Sequence, residues 1–443
     1  MKSPIPLFVL ICLTAIFTVP IAFADSTGVA VDIAAIDTAT AVATDTVAMI
    51  ESVIVDESGE QLYPMSPERH ERLVSYSKFN SIWRFVSFFI GLAVLALILF
   101  TGLSARLRDW VSGIRIKFFA VWAFVALFLL ADYILNLPFS IYRSFLVESD
   151  YGFMNQTFME WLGEDLLGLL ITAAFMIIPV WFFYQLVNKY RRWWLWFSLG
   201  AIPFIVLMAV IVPVLISPMF NEFGPLNDKQ LEAEIIALAE QAGIEGANIY
   251  EVDASKQSSK INAYVTGLFG TKRIVLYDTL IKYFTLDEIK FVMAHEMGHY
   301  KMNHVWQGVG LAILFIMFAL WLMNRLIHSV IVRFKNRFGF DSLSDYASWP
   351  LVLVFLTVIM FVFQPVTNSF SRHIERQADT YGMEMSGVDG EAAATAFDKL
   401  SVFNLSDPNP NAFVEFWFYS HPSLVKRMAF VRGWQPSPET TKP

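Results

Sequence analysis

Two histidines and a glutamate lie within five consecutive residues of the stretch VMAHEMGHYKMNH, residues 292–304. On an α-helix, His295 and His299 are four residues apart, so their imidazoles project from one face and can bind one zinc ion. Glu296 lies beside them and can take a proton from a water molecule that zinc makes acidic. In a chain with only seven histidines, this pattern would arise by chance roughly once in two hundred sequences. These residues predict a hydrolytic zinc site.

A zinc enzyme needs a third protein ligand and an open coordination position. The stretch NSFSRHIERQADTYG supplies Glu375 as a candidate, with His373 as its rival. Asp379 follows Glu375 by one helical turn and can accept a hydrogen bond from a ligating histidine. The single cysteine, Cys12, lies in the first apolar run. The ligands must therefore be histidine, aspartate or glutamate.

The composition is that of an integral membrane protein. Of the 443 residues, 56% are hydrophobic and only 16% are charged, too few to cover the surface of a soluble domain of this size. The formal net charge of -8 provides no basic patch, which argues against a nucleic-acid partner.

Six stretches are long enough to cross about 30 Å of hydrocarbon as helices. They lie near 82–103, 116–137, 165–187, 193–217, 305–327 and 349–369. Pro179, Pro203 and Pro213 fall inside these stretches and predict kinks that neighbouring helices can accommodate.

The zinc motif belongs to a polar insertion, 218–304, between the fourth and fifth stretches. Asp228 to Ile244 has the pattern of an amphipathic helix with a glycine stop. Ile261 to Ile281 is typical of two strands around a Gly-Thr-Lys turn. Thr285 is the predicted N-cap of the helix that carries the motif.

Chain topology brings the ligand candidates to one side of the membrane. His299 lies just before the fifth stretch and Glu375 just after the sixth, and the connection between these stretches is short. The two helices must then be antiparallel, so a metal ion could bridge them where both ends emerge.

The N-terminal residues, 1–24, have a basic start, an apolar run and Ala-Phe-Ala, which predicts a cleavable signal peptide or, alternatively, a first membrane span. Residues 25–64 form a predicted acidic, poorly ordered spacer. We assign 65–217 to a membrane domain and 218–435 to a metallopeptidase domain that includes the last two spans.

Five stretches in this order resemble the zinc metallopeptidase family of the type I CAAX prenyl protease. They are ERHERLVSYSKFNSIWRFVSFFIG, SSKINAYVTG, MAHEMGHYKMNH, SRHIERQAD and HPSLVKR. The resemblance covers most of the chain. It implies a helical membrane barrel that encloses a chamber, with zinc held by His295, His299 and Glu375.

The resemblance also implies roles for four residues outside the zinc motif. Asn262 and Ala263 match the strand that pairs with an extended substrate, as the exposed edge of a sheet can. His421 and Arg427 match the pair that stabilises the oxyanion or positions a substrate carboxylate. Without the resemblance, the first two would be an ordinary strand and the second two a turn and a helix cap.

The remaining polar residues are less informative about the chemistry. His304 and His328 flank a span and are predicted to be interfacial. Asp132 is placed near the end of a span, where an interfacial position or a wet chamber wall would accommodate its carboxyl group.

The distribution of basic residues predicts the orientation. The loops predicted at 104–117, 188–192 and 325–337 are basic, whereas 138–164 is mostly acidic. Since cytoplasmic loops are enriched in lysine and arginine, the insertion and C-terminus are predicted to lie outside, in a bacterial inner membrane. The eukaryotic members of the family are understood to present the zinc domain to the cytosol, so the prediction departs from the resemblance here.

The sequence therefore predicts a mainly α, multi-pass membrane protein enclosing a chamber, with a small α+β zinc metallopeptidase domain inserted before the last two spans. The predicted function is a zinc metalloendopeptidase with one Zn²⁺ per chain. Its predicted partners are membrane lipid and a peptide or protein substrate, with a lipidated or membrane-associated substrate left open. The alternatives are a quality-control membrane protease of the same family and a non-catalytic scaffold with a vestigial zinc site.

Overall fold

The computed structural model describes residues 53–55, 61–64, 66–244, 246, 248–267 and 272–435. The predicted signal segment lies outside these residues, as does most of the predicted spacer. Within that spacer, β1 (Val53–Val55) and β2 (Gln61–Pro64) pair antiparallel, where composition had predicted a poorly ordered segment.

The first half of the described chain is a bundle of helices: α1 (Pro67–Phe100), α2 (Leu103–Val111), α3 (Lys117–Ser140), α4 (Phe158–Lys189) and α5 (Trp193–Ile211). All except α2 are long and apolar enough to cross a membrane. Helix continues beyond α3 through a π-helical turn to Asp150, so the predicted acidic loop is shorter than 138–164. Pro179 and Pro203 lie inside helices, and Pro213 lies in a π-helical turn after α5.

A four-stranded sheet follows the bundle. Its strands are β3 (Phe223–Gly224), β4 (Asn248–Val252), β5 (Ala263–Thr266) and β6 (Arg273–Tyr277), in the spatial order β3-β4-β6-β5. The antiparallel pairing of β5 with β6 sets Ala263 opposite Leu276. The two predicted strands are thus confirmed, and β5 lies at the edge of the sheet. Residues 268–271 of the predicted turn are outside the described residues.

Three helices accompany this sheet: α6 (Lys229–Gln241), α7 (Asp278–Tyr283) and α8 (Leu286–Lys301). The side chain of Asp228 caps α6, and Gly243 follows the helix with a φ of 71°, as the sequence predicted. The left-handed backbone at Gly243 explains why a glycine stands at this stop.

The chain ends in five helices: α9 (His304–Phe338), α10 (Trp349–Ser386), α11 (Gly390–Asn404), α12 (Ala412–Phe418) and α13 (Leu424–Arg432). With α9 and α10, the described residues contain six helices able to cross a membrane, which confirms the predicted number. The prediction of a loop at 325–337 is wrong, because α9 remains helical to Phe338. Long apolar and basic residues all favour helix, so the span has no stop at its hydrophobic boundary.

Two glycines let α8 pack closely against α10. A Cβ at Gly298 would lie 3.0 Å from the ring of Tyr381, and a Cβ at Gly382 would lie 3.1 Å from the ring of Phe291. Neither position has room for a larger side chain without displacing its neighbour. The small residues therefore bring together the two helices that carry the ligand candidates.

The far end of the bundle is marked by α2. The hydroxyl of Ser104 donates to the carbonyl of Ala347 at 2.7 Å, and Arg108 forms an ion pair with Asp345. The link between α9 and α10 therefore lies beside α2. Since α9 begins at His304 next to the zinc motif, the motif and α2 are at opposite ends of α9.

Candidate metal centre

Helix α8 sets the two histidines of the motif on one face. Thr285 caps it, and a reciprocal pair of hydrogen bonds joins Thr285 to Glu288, as expected of a capping box. The Nε2 atoms of His295 and His299 lie 3.2 Å apart, and both side chains are buried. The predicted helix start and the shared face are confirmed.

Glu375 on α10 completes a group of three residues that each offer a donor atom to a metal ion. Its Oε2 is 3.4 Å from His295 Nε2, and its Oε1 is 3.5 Å from His299 Nε2. One donor atom from each of the three residues lies within 4.8 Å of the others. His373, the rival candidate, is exposed and does not belong to this group.

This donor set fits a zinc ion. Glu375 is fully buried, and its carboxylate lies 3.2 Å from His421, 3.4 Å from His295 and 3.5 Å from His299, with the guanidinium of Arg427 at 3.7 Å. A buried carboxylate is stable only beside a compensating charge or donor. Two imidazoles and one carboxylate are a common protein ligand set of catalytic zinc.

Asp379 lies behind His295. Its Oδ1 is 2.9 Å from His295 Nδ1, which leaves Nε2 of that ring facing the other two donors. Arg427 holds both carboxylate oxygens of Asp379, with Nε to Oδ2 at 2.9 Å and Nη2 bonded to Oδ1. The guanidinium of Arg427 also lies 4.2 Å from the ring centre of Phe397. We call Asp379 and Arg427 the carboxylate flank.

A different set of residues lies behind His299. Its Nδ1 is 3.0 Å from Nδ1 of His304, and His304 Nε2 is 3.0 Å from Gln377 Oε1. Gln377 Nε2 is in turn 3.4 Å from Nε2 of His373. We call His304, Gln377 and His373 the imidazole flank.

His304, which was predicted to be interfacial rather than catalytic, is fully buried and in contact with a ligand candidate. Asn303, with a left-handed φ of 56°, separates α8 from α9 and turns His304 back towards His299. In one continuous helix, His304 would lie roughly 140° around the axis from His299. The sequence signal that could have revealed it is the asparagine, which adopts this backbone conformation more readily than most residues. His328 is exposed on α9, away from the centre.

Burial and neighbouring charges shift the pKa values of the motif. Burial raises the pKa of Glu296 to about 7, and Oε1 of its carboxyl group has no partner among the described residues. Burial lowers the pKa of His299 to about 3. Burial acts in the same direction on His295, but its hydrogen bonds with Asp379 and Glu375 outweigh it and raise the pKa to about 9.

A cavity of about 470 Å³ lies between residues that border the centre and the membrane helices. On the side of the centre it is lined by Asn262, His421 and Arg427. His421 Nε2 lies 3.2 Å from Glu375 Oε1, so this histidine borders the three donors. Ala263 is buried in β5, one residue beyond the cavity-lining Asn262.

The membrane helices contribute polar side chains to the same cavity. Asp132 lines it, consistent with the predicted chamber wall, and Asn136 donates to the carboxyl group of Asp132 at 3.0 Å. Sequence reasoning missed the buried Glu148, which forms ion pairs with Arg143 and with Lys260, the latter at 2.8 Å. Arg143 and Lys260 also line the cavity.

Comparison with protein-family models accounts for almost all of the described residues. Residues 225–435 match the model of peptidase family M48. Residues 60–222 match the model described as CAAX prenyl protease N-terminal, five membrane helices. Four helices long enough to span a membrane fall in that second range of the described chain.

Curated relatives and a solved structure match over long segments. An uncharacterized metalloprotease of Bacillus subtilis, YhfN, is 32% identical over 86% of this chain and 90% of its own length. CAAX prenyl protease 1 of Saccharomyces cerevisiae is 33% identical over 67% of this chain and 68% of its own length. The crystal structure of S. mikatae Ste24p superposes with a TM-score of 0.73 at 24% identity, covering 97% of this chain and 99% of that one. At 24% identity, the match to the solved structure is evidence for the fold alone.

Proposed function

This chain belongs to peptidase family M48, as a multi-pass membrane metalloprotease that resembles CAAX prenyl protease type I, and on that premise we propose that it is a zinc-dependent endopeptidase. The observation that supports zinc most directly is the convergence of His295, His299 and Glu375, all three of them buried. Zinc, when bound there, would supply Lewis acidity towards a peptide carbonyl and towards water.

We propose Glu296 as the general base and subsequent general acid. Its Oε1 is buried and free of a hydrogen bond within the described part of the chain, so it can receive a proton. In the metal-free protein burial raises the pKa of Glu296 to about 7, and a carboxyl group with a pKa near neutrality can take a proton from water and return it to the departing amine.

We propose that the substrate peptide is held between β5 and the C-terminal helices. Asn262 and Ala263 begin an edge strand, to which an extended peptide can add by main-chain hydrogen bonds. His421 borders the donor group and would donate to the carbonyl oxygen as negative charge develops. Arg427 would donate a hydrogen bond to the substrate from Nη1, which has no partner among the described residues. Its other nitrogens hold Asp379.

The test is cleavage of a peptide library by the detergent-purified protein, with Glu296→Gln as the matched variant. This substitution preserves shape and leaves the three ligands intact, so zinc content should be unchanged while kcat falls about 10²- to 10⁴-fold. Equal cleavage by both proteins would point to a contaminating protease. No cleavage by either, with zinc retained, would favour the scaffold. Prenylated and unmodified versions of one peptide, assayed together, would show whether a lipid group matters.

We also propose that the metal centre faces the outside of the cell. The basic residues near α2 lie at the opposite end of α9 from His304, and basic loops favour the cytoplasm. In a background lacking Cys12, cysteines replace the exposed Asp287 or Arg106, and whole cells are treated with an impermeant maleimide. Labelling of Asp287→Cys alone is expected, and labelling of Arg106→Cys alone would reverse the orientation.

A further inference from the structure

We propose that His304 is a positioning residue that fixes the ring orientation and tautomer of His299 for metal binding. This inference rests on the proposed zinc centre and extends it to three residues outside the ligand set: His304, Gln377 and His373. The juxtaposition that carries it is an unbroken series of side-chain contacts from His299 to the exposed His373.

The direction of each hydrogen bond follows from the first ring. Nε2 of His299 faces His295 and Glu375, so this nitrogen must present its lone pair to the metal. The proton of a neutral imidazole then resides on Nδ1, and the acceptor within reach is Nδ1 of His304 at 3.0 Å. His304 is consequently protonated on Nε2.

The next contacts are compatible with that assignment. Nε2–H of His304 donates to Oε1 of Gln377 at 3.0 Å, and Nε2 of Gln377 is oriented towards Nε2 of His373 at 3.4 Å. Every donor in the series meets an acceptor, so one choice of tautomer at His299 determines the others. The series ends at an exposed side chain that water can also satisfy.

Simple packing is the competing explanation for His304, since the residue is fully buried. A packing role needs only an imidazole-sized side chain, whereas positioning needs an acceptor at the Nδ1 position. The two roles therefore make different demands on a substitution. Partners that orient a ligating histidine typically change metal affinity by about 10- to 100-fold when they are removed.

Three variants of the full-length, detergent-purified protein separate these roles. His304→Asn keeps an acceptor oxygen where Nδ1 stood, His304→Gln keeps a polar atom only where Nε2 stood, and His304→Phe keeps the ring without an acceptor. The readouts are the zinc dissociation constant, from competition with a chromophoric chelator, and the visible spectrum of the Co²⁺-substituted protein. We expect zinc affinity about 10- to 100-fold weaker for Gln and Phe, and within about threefold of wild type for Asn.

The effect of a substitution on zinc binding is expected to decrease along the series from His304 to His373. Gln377→Leu should weaken zinc binding less than His304→Phe does, and His373→Ala should leave it unchanged, because water replaces the exposed ring. Wild-type affinity and spectrum in His304→Phe would overturn the proposal, as would equal loss in His304→Asn and His304→Phe. Failure of the wild-type protein to bind zinc would instead refute the proposed function, which keeps the two failures distinct.

Discussion

The carboxylate flank and the imidazole flank support two histidines of the same helix in different ways. His295 donates to Asp379, a carboxylate that Arg427 holds with two hydrogen bonds. His299 meets the imidazole of His304. Hydrogen bonding to a carboxylate favours a cationic ring, and the pKa of His295 is raised to about 9, while burial leaves that of His299 at about 3. Identical residues four positions apart therefore offer a metal unequal donors.

The flanks also differ in how they are closed. The carboxylate flank consists of buried groups, because Asp379 and Arg427 are both buried and the guanidinium lies over Phe397. The imidazole flank ends at the exposed His373. A buried ion pair is destabilised when either partner is removed, whereas water can replace the last, exposed member of the imidazole flank. Damage should therefore be more severe on the carboxylate side.

Among substitutions in the two flanks, removal of Arg427 is expected to have the largest effect. Arg427→Met leaves the charge of Asp379 buried without its partner, and we expect a loss of about 3–5 kcal/mol in the free energy of unfolding. Thermal unfolding in detergent measures the effect. The double variant Arg427→Met/Asp379→Leu should recover much of that stability, because neither charge of this pair is then left buried without the other. A double variant as unstable as the single one would contradict the account.

The second largest effect is expected on metal affinity at Asp379. Asp379→Asn keeps an acceptor for His295 but removes the negative charge, so zinc should bind about 10- to 100-fold more weakly. His304→Phe, which removes a neutral acceptor, should cost no more than this. The two dissociation constants, measured side by side, would rank the flanks. A larger loss at His304 would reverse the proposed inequality.

Glu296 belongs to neither flank, and its effect on the stability of the protein is expected to depend on pH. In the metal-free protein its pKa is about 7, above the ordinary value of 4.5, so the buried carboxyl carries no penalty below pH 4.5. Between pH 4.5 and about 7 this carboxyl is ionised in the unfolded chain but still protonated in the folded one, so stability is lost as pH rises through this range and the loss is complete above it. Metal-free Glu296→Gln should thus be more stable than wild type by on the order of 3 kcal/mol at pH 8.

The melting temperatures of both metal-free proteins, compared at pH 5 and pH 8, check this expectation. The gain should shrink at pH 5, where the wild-type carboxyl is already protonated. A stability difference that does not change with pH would mean that Glu296 is not held in the environment described.

The smallest effect is expected at Asn303, whose backbone conformation directs His304 towards His299 without contacting the ligands. Asn303→Gly tolerates the left-handed φ of 56°, whereas Asn303→Ala strains it by about 1 kcal/mol. Zinc affinity should fall several-fold in the alanine variant and stay near wild type in the glycine variant. Chelator competition measures both. Equal affinities would show that His304 keeps its position without this turn.

Much of the site could be predicted because it follows from local periodicity. Thr285 starts the helix, and a spacing of four residues places His295 and His299 on one face whatever the rest of the fold does. The number of apolar stretches and the short link between α9 and α10 predicted that Glu375 lies on the same side of the membrane as the two histidines. Helix ends were predicted less well, since α9 continues to Phe338 beyond its apolar stretch.

The sequence by itself determined the candidate ligands and the membrane architecture, because helix spacing and hydrophobic length act over short segments of chain. The tertiary structure decided what stands behind each ligand. Arg427 and Asp379 are 48 residues apart, His304 and Gln377 are 73 apart, and both contacts are side-chain hydrogen bonds. No local pattern encodes such contacts, because they depend on how closely α8, α10 and α13 pack and on a single left-handed residue between α8 and α9.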